Sequence, residues 1–206
     1  PTVDELVARL AGAGVEARPE EIVTSAQAAA GLLDPGTTAF ACAETGVVEA
    51  LNARGVTVVG EGPADAVVVG WTRQFDFTLL DVAAGLVRAG ARFVGTNEDA
   101  TFPTPDRLLP GAGSVLAAVA TAAQAQPEVA GKPHRPMVDL LHARAGEVGL
   151  VVGDRPSTDG LLAERLGAPF ALVRSGVTGG DGREPMVVNP HIDAPDLAAV
   201  VERQLA

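Results

Sequence analysis

The sequence has no tyrosine, one tryptophan and one cysteine, and basic side chains are outnumbered; each shortage removes a class of function. Aromatic residues are 3% of the chain, too few for the stacking surfaces that bind single-stranded nucleic acid. Lys and Arg number 15 against 26 Asp and Glu, giving a net charge of -11, and the pI is near 4.6. Such a surface repels a phosphate backbone, so nucleic acid is excluded as a partner. The lone Cys42 cannot close an internal disulfide, and there is no cysteine cluster to hold structural zinc. Apolar runs fall well short of the ~20 residues of a membrane span. No basic-then-apolar leader opens the chain. The expectation is a soluble, cytoplasmic protein with no membrane partner. Pro1 either follows an excised initiator Met or marks a sequence that starts partway through a gene.

What is present is a core-forming chain of 206 residues, 47% apolar and 20% charged. With so few aromatics, Val, Leu and Ala must fill the interior. Helical spacing runs over Asp4–Ala11, with Leu6, Val7 and Leu10 on one face. A short apolar run, Ile22–Thr24, reads as a strand stopped by Ser25, which would cap the Ala-rich helix that follows. Strands are expected at Ala39–Cys42, Val56–Val59, Ala66–Val69, Arg92–Val94, Glu128–Ala130, Gly149–Val152 and Phe170–Val173. Helices are expected at Val47–Ala53, Leu79–Ala89, Ser114–Ala125, Met137–Ala145, Leu161–Leu166 and Asp196–Leu205. Thr101–Gly113, rich in Pro and Gly, reads as a loop. Strands alternating with helices indicate βαβ units, hence an α/β fold with a mostly parallel sheet.

In such sheets the ligand sits beyond the carboxyl ends of the strands. Asp154 follows the strand ending at Val152-Gly153, and Asp159 comes five residues later. A carboxylate there suits Mg²⁺ held by few protein ligands and a substrate phosphate; the alternative is a turn residue and a helix cap. Lys132, between Gly131 and Pro133, offers a point charge for a phosphate oxygen, or a plain surface lysine. Gly60-Glu61-Gly62 and Gly111-Ala112-Gly113 do not complete a dinucleotide-binding glycine loop. His134, His142 and His191 lack metal-ligand spacing. Cys42 reads as a buried structural thiol, and Trp71 and Met137 as packing.

Gly131-Lys132-Pro133 followed by Val152–Asp159 resembles motifs III and IV of the haloacid dehalogenase-like (HAD) phosphatases. Ile22–Ala26, Gly95–Thr104, Leu108–Ser114 and Ser175–Thr178 extend the resemblance over essentially the whole chain. They narrow it to subfamily IIA, the nitrophenylphosphatase-like branch that includes phosphoglycolate and glycerol-phosphate phosphatases. The resemblance implies a HAD-like Rossmannoid parallel-sheet core, residues 1–34 and 127–206, with an α/β cap inserted at 35–126. It implies a Mg²⁺-dependent hydrolase of small phosphorylated metabolites that works through an aspartyl-phosphate. Asp154 would ligate the metal, Asp159 would support that ligand or the nearby lysine, and Lys132 would neutralise the phosphoryl group. The cap would select the leaving group through Asn97 and Phe102, the latter at a position that varies with substrate. An apolar Phe there points to a small, undemanding ester. The resemblance also leaves open a homodimer formed through the cap.

One departure stands against this match. The family's nucleophile is the first Asp of an Asp-x-Asp motif, and no Asp-x-Asp occurs in these 206 residues. The phosphate-binding Thr or Ser of the second motif is missing too. Pro1–Leu6 aligns with the helix just after it, so both motifs and two core strands are expected upstream of Pro1. On that expectation residues 1–206 alone are inactive and fold poorly. The competing reading is a HAD-fold remnant without catalysis that binds a phosphate ligand or a partner.

Overall fold

The computed structural model describes residues 1–104, 106–178 and 184–205. It divides into two compact units, Pro1–Gly131 and Lys132–Ala206. No helix among the described residues is long and apolar enough to cross a membrane.

The first unit opens with α1 (Val3–Gly12) and α2 (Ser25–Gly31). Leu6, Val7 and Leu10 are half-buried, as their spacing predicts. Ile22–Thr24 forms no strand, which corrects the sequence reading. Thr24 is the N-cap of α2 instead: its hydroxyl accepts the Gln27 N–H (3.1 Å) and Gln27 Oε1 accepts the Thr24 N–H (2.9 Å). That reciprocal capping box satisfies two donors that a helix start leaves open.

A five-stranded parallel sheet follows. It is built from β1 (Thr38–Cys42), β2 (Thr57–Val59), β3 (Ala66–Val69), β4 (Arg92–Gly95) and a short edge strand at Glu128–Val129. The order is β2-β1-β3-β4 and then the edge strand, which pairs Val94 with Glu128 and Gly95 with Val129. Helices α3 (Thr45–Ala53), α4 (Phe77–Arg88) and α5 (Ala112–Ala123) connect it. All four residues of β3 are buried, as a central parallel strand covered on both faces requires. Val67 and Val69 meet Ala83, Val87, Leu116 and Val119 from α4 and α5. Each large aliphatic side chain so buried contributes about 1.5–3 kcal/mol.

Within Thr101–Gly113 the structure holds an antiparallel hairpin, β5 (Thr101–Pro103) and β6 (Leu108–Pro110), with Phe102 opposite Leu109; Pro105 lies outside the described residues. The loop expectation is therefore corrected. Pro103 and Pro110 hide the signal, since three-residue edge strands tolerate prolines that a central strand would not. The edge strand at Glu128–Val129 is β7.

The second unit carries a three-stranded parallel sheet, β8 (Val151–Gly153), β9 (Phe170–Val173) and β10 (Ile192–Ala194), in the order β10-β9-β8. Helices α6 (Arg135–Ala145), α7 (Leu161–Leu166) and α8 (Leu197–Leu205) flank it. Alternate residues of β9 serve opposite faces. Phe170 and Leu172 pack with Ala163 and Val188, and Ala171 packs with Ala194 and Val200. Among the described residues β8 pairs with β9 alone.

Candidate active site

In the second unit the candidate residues lie at the carboxyl ends of β8 and β9, where ligands of parallel sheets collect. Beyond β8 the chain enters a π-helical turn, Pro156–Gly160, that turns Asp159 back towards the strand end. Asp159 is nearly closed off, its side chain 7% exposed, and its two oxygens have separate partners. Oδ1 accepts from Lys132 Nζ at 2.7 Å, and Oδ2 accepts from the Arg155 N–H at 3.1 Å. Lys132 remains about half exposed, so one side of its ammonium is anchored while the rest stays available to an anion. Asp159 is thus hydrogen-bonded to Lys132 and to the Arg155 backbone.

Asp154, half-buried, is fixed by the loop after β9. Its Oδ2 accepts the Val177 N–H at 2.6 Å, and its backbone carbonyl accepts the Thr178 hydroxyl. Two glycines make these approaches possible. A Cβ on Gly153 would lie 2.3 Å from Asp159 Cγ, and one on Gly176 would lie 2.0 Å from Asp154 Oδ2. Arg165 on α7 donates to the Pro133 carbonyl and so holds the loop that carries Lys132. Sequence reasoning missed Arg165, because nothing in its spacing distinguishes it from a surface helix residue.

In the first unit, backbone bonds tie together the segments leaving β1, β3 and β4. The Gly70 N–H donates to the Cys42 carbonyl (3.0 Å) and the Thr96 N–H to the Val69 carbonyl (2.8 Å). Asn97 sits directly after Thr96, and its Oδ1 is buried with no hydrogen-bond partner among the described residues. A buried orphan acceptor is costly unless a donor completes it. Phe102, 45% exposed, packs its ring 5.5 Å from the ring of Trp71. The Trp71 Nε1–H donates to the Pro110 carbonyl at 3.0 Å. Trp71, read from sequence as packing, does pack, but on an exposed ring outside the core. Its place two residues beyond β3 was the available signal.

Cys42 is fully buried, and desolvation pushes its thiol up to about 12, which removes it from nucleophilic chemistry. Among the described residues no group of three or more His, Cys, Asp or Glu side chains converges on one point. A metal at Asp154 would therefore have at most two such side chains among the described residues and take its remaining ligands elsewhere. That oxygen-only, sparsely liganded arrangement fits Mg²⁺, which keeps several waters, and does not fit zinc.

Comparison with known proteins gives the family. A family model described as HAD-hydrolase-like matches residues 129–200. The D-glycerol 3-phosphate phosphatase of Mycobacterium tuberculosis is 39% identical over 183 residues, covering 85% of this chain and 52% of that protein. The acid sugar phosphatase of Staphylococcus saprophyticus is 31% identical over 206 residues, covering 97% of this chain and 79% of that protein. A crystal structure of the glycerol phosphate phosphatase from Mycobacterium tuberculosis in complex with magnesium superposes with a TM-score of 0.81 at 36% identity. It spans 92% of this chain and 62% of that one. The fold is α/β with parallel sheets, and the chain belongs to the haloacid dehalogenase-like phosphatase family, subfamily IIA. It spans about half the length of one curated relative and four fifths of another.

Proposed function

We propose that the protein containing this chain is a Mg²⁺-dependent phosphatase of small phosphate monoesters. Residues 1–34 and 127–206 form its core and 35–126 its cap. The observation that carries this reading is the Lys132–Asp159 pair at 2.7 Å, with Asp159 buried and Lys132 half exposed. A buried carboxylate holding an accessible ammonium fixes a positive charge in place, and fixed charge is most of what phosphoryl transfer asks of a protein.

In this reading the first Asp of an Asp-x-Asp motif encoded upstream of Pro1 attacks phosphorus, the bond from phosphorus to the ester oxygen breaks, and the second Asp of that motif gives its proton to the leaving alcohol oxygen. Water then hydrolyses the aspartyl-phosphate. Lys132 neutralises the phosphoryl oxygens and the attacking carboxylate. Asp159 positions Lys132. Asp154, steadied by the Val177 N–H, holds Mg²⁺. The metal would supply charge stabilisation to the phosphate. Asn97 and Phe102 are the cap residues that select the leaving group in this reading. The magnesium-bound relative supports the metal, and the pairing of β8 with β9 alone among the described residues supports an upstream strand beside it.

The absence of Asp-x-Asp from these residues favours a second reading, a non-catalytic phosphate-binding or interaction module. Brief incubation of the intact protein with p-nitrophenyl phosphate and Mg²⁺, acid quenching and peptide mass spectrometry separates the two. A phosphoryl group on an upstream Asp is expected. Turnover without any labelled Asp, or no turnover, would refute the aspartyl-phosphate route.

A further inference from the structure

The segment leaving β3 carries a cation that the proposed chemistry does not use. The Arg73 guanidinium lies 5.5 Å from the centre of the Trp71 ring, and Trp71 in turn packs on exposed Phe102. Two anchors hold this group in place. Trp71 is fixed through its indole N–H to Pro110, and Glu44 Oε1 accepts both the Arg73 backbone N–H and the Thr72 hydroxyl at 3.0 Å. Glu44 thus secures the loop through its backbone. Among the described residues the Arg73 guanidinium has no carboxylate partner, although Asp and Glu outnumber Lys and Arg by 26 to 15. In so acidic a chain, a preorganised guanidinium over the half-buried Trp71 ring, beside exposed Phe102, is an anion receptor in waiting. Its planar fork matches a carboxylate or a phosphate in two parallel hydrogen bonds.

We propose that Arg73 is a specificity-determining residue that selects phosphate esters bearing a second anionic group, with Trp71 and Phe102 packing on the carbon skeleton between the two charges. This rests on the reading of the cap as the part that selects the leaving group. It makes the substrate more demanding than Phe102 alone implies. A carboxylate and a second phosphate present the same chemistry to the guanidinium, so probes of both kinds are needed.

Trp71 is the one tryptophan in this sequence, so its emission reports on this patch. Binding to the intact protein is followed by fluorescence, with the Trp71→Phe variant subtracted. The probes are 2-phosphoglycolate, fructose 1,6-bisphosphate and glycerol 3-phosphate. The expected result is at least one of the two probes with a second anionic group binding about tenfold or more tightly than glycerol 3-phosphate, the size of one lost charge-assisted hydrogen bond. Arg73→Gln should abolish that ratio and Arg73→Lys should keep part of it. Which of the two favoured probes binds tighter tells carboxylate from phosphate. Equal dissociation constants for all three, or a ratio that survives Arg73→Gln, would overturn the proposal. Turnover of p-nitrophenyl phosphate is measured separately. Absent turnover with an intact, Arg73-dependent ratio counts against the phosphatase reading alone, and turnover with no ratio counts against the Arg73 proposal alone.

Discussion

Replacing Gly176 by alanine tests how Asp154 is held. The added methyl would lie 2.0 Å from Asp154 Oδ2, 2.4 Å from Cγ and 2.5 Å from Cβ, so rotating the carboxylate tip does not relieve the overlap. The whole side chain must swing away, and it loses the Val177 N–H bond at 2.6 Å. A hydrogen bond to a charged group contributes about 1.5–3 kcal/mol. At about 2–4 °C per kcal/mol for a chain of this size, the melting temperature should fall by roughly 3–12 °C. Calorimetry of Gly176→Ala in two backgrounds isolates the cause. With Asp154 already replaced by glycine, which also removes the Cβ, the obstruction is gone, so the same substitution at 176 should cost little, and the two changes are strongly non-additive. An equal drop in both backgrounds, or no drop in the wild-type background, would refute the contact as the reason for glycine at 176.

Three further outcomes follow from the same structure. Cys42, buried and with its thiol pushed up to about 12, should resist a thiol reagent at mildly alkaline pH and react once denaturant unfolds the protein; fast labelling of the native state would contradict this. Asp65 is held below the ordinary carboxylate range by the Thr38 N–H and hydroxyl, and Asp193 by its hydrogen bond from Arg174. Depressed values mean the stabilisation is complete at neutral pH and is lost as pH falls below about 4 through those values, so the double variant Asp65→Asn, Asp193→Asn should flatten the acid limb of a stability–pH curve, and an unchanged limb would count against both. Phe102→His should shift the relative kcat/KM for 2-phosphoglycolate and glycerol 3-phosphate, whereas identical ratios would remove Phe102 from substrate selection.

The parallel-sheet architecture was readable because its signals are local. The four-residue apolar run at Ala66–Val69 and the helical spacing of Leu79–Ala89 both announce themselves, and the structure has β3 and α4 there. Elements whose partners lie far away were harder. Ile192–Ala194 is three residues set between Pro190 and Pro195, and it becomes a strand only because β9 pairs with it. Phe102 pairs with Leu109 across a hairpin that three prolines conceal. At Thr24 the reverse happened: an apolar run suggested a strand, and the Thr24–Gln27 spacing that marks a capping box was outweighed. The candidate site divides the same way. Asp154 and Lys132 stood out by position after strands, but the 27-residue separation of Lys132 from Asp159 gives no periodic signal of their contact. Arg73 over Trp71 and the unpartnered oxygen of Asn97 are properties of side-chain placement, which composition and spacing do not encode.

The central claim, that Asp154 serves metal-dependent phosphate ester hydrolysis, is tested most directly by one comparison. Intact protein and its Asp154→Asn variant are assayed for p-nitrophenyl phosphate hydrolysis across a Mg²⁺ titration. The substitution keeps the side chain's shape and an oxygen to accept the Val177 N–H, so the fold should persist while the carboxylate ligand is lost. The account predicts Mg²⁺-dependent turnover in the wild type and a loss of about a hundredfold or more in the variant. Undiminished turnover in the variant, with the same Mg²⁺ dependence, would contradict it.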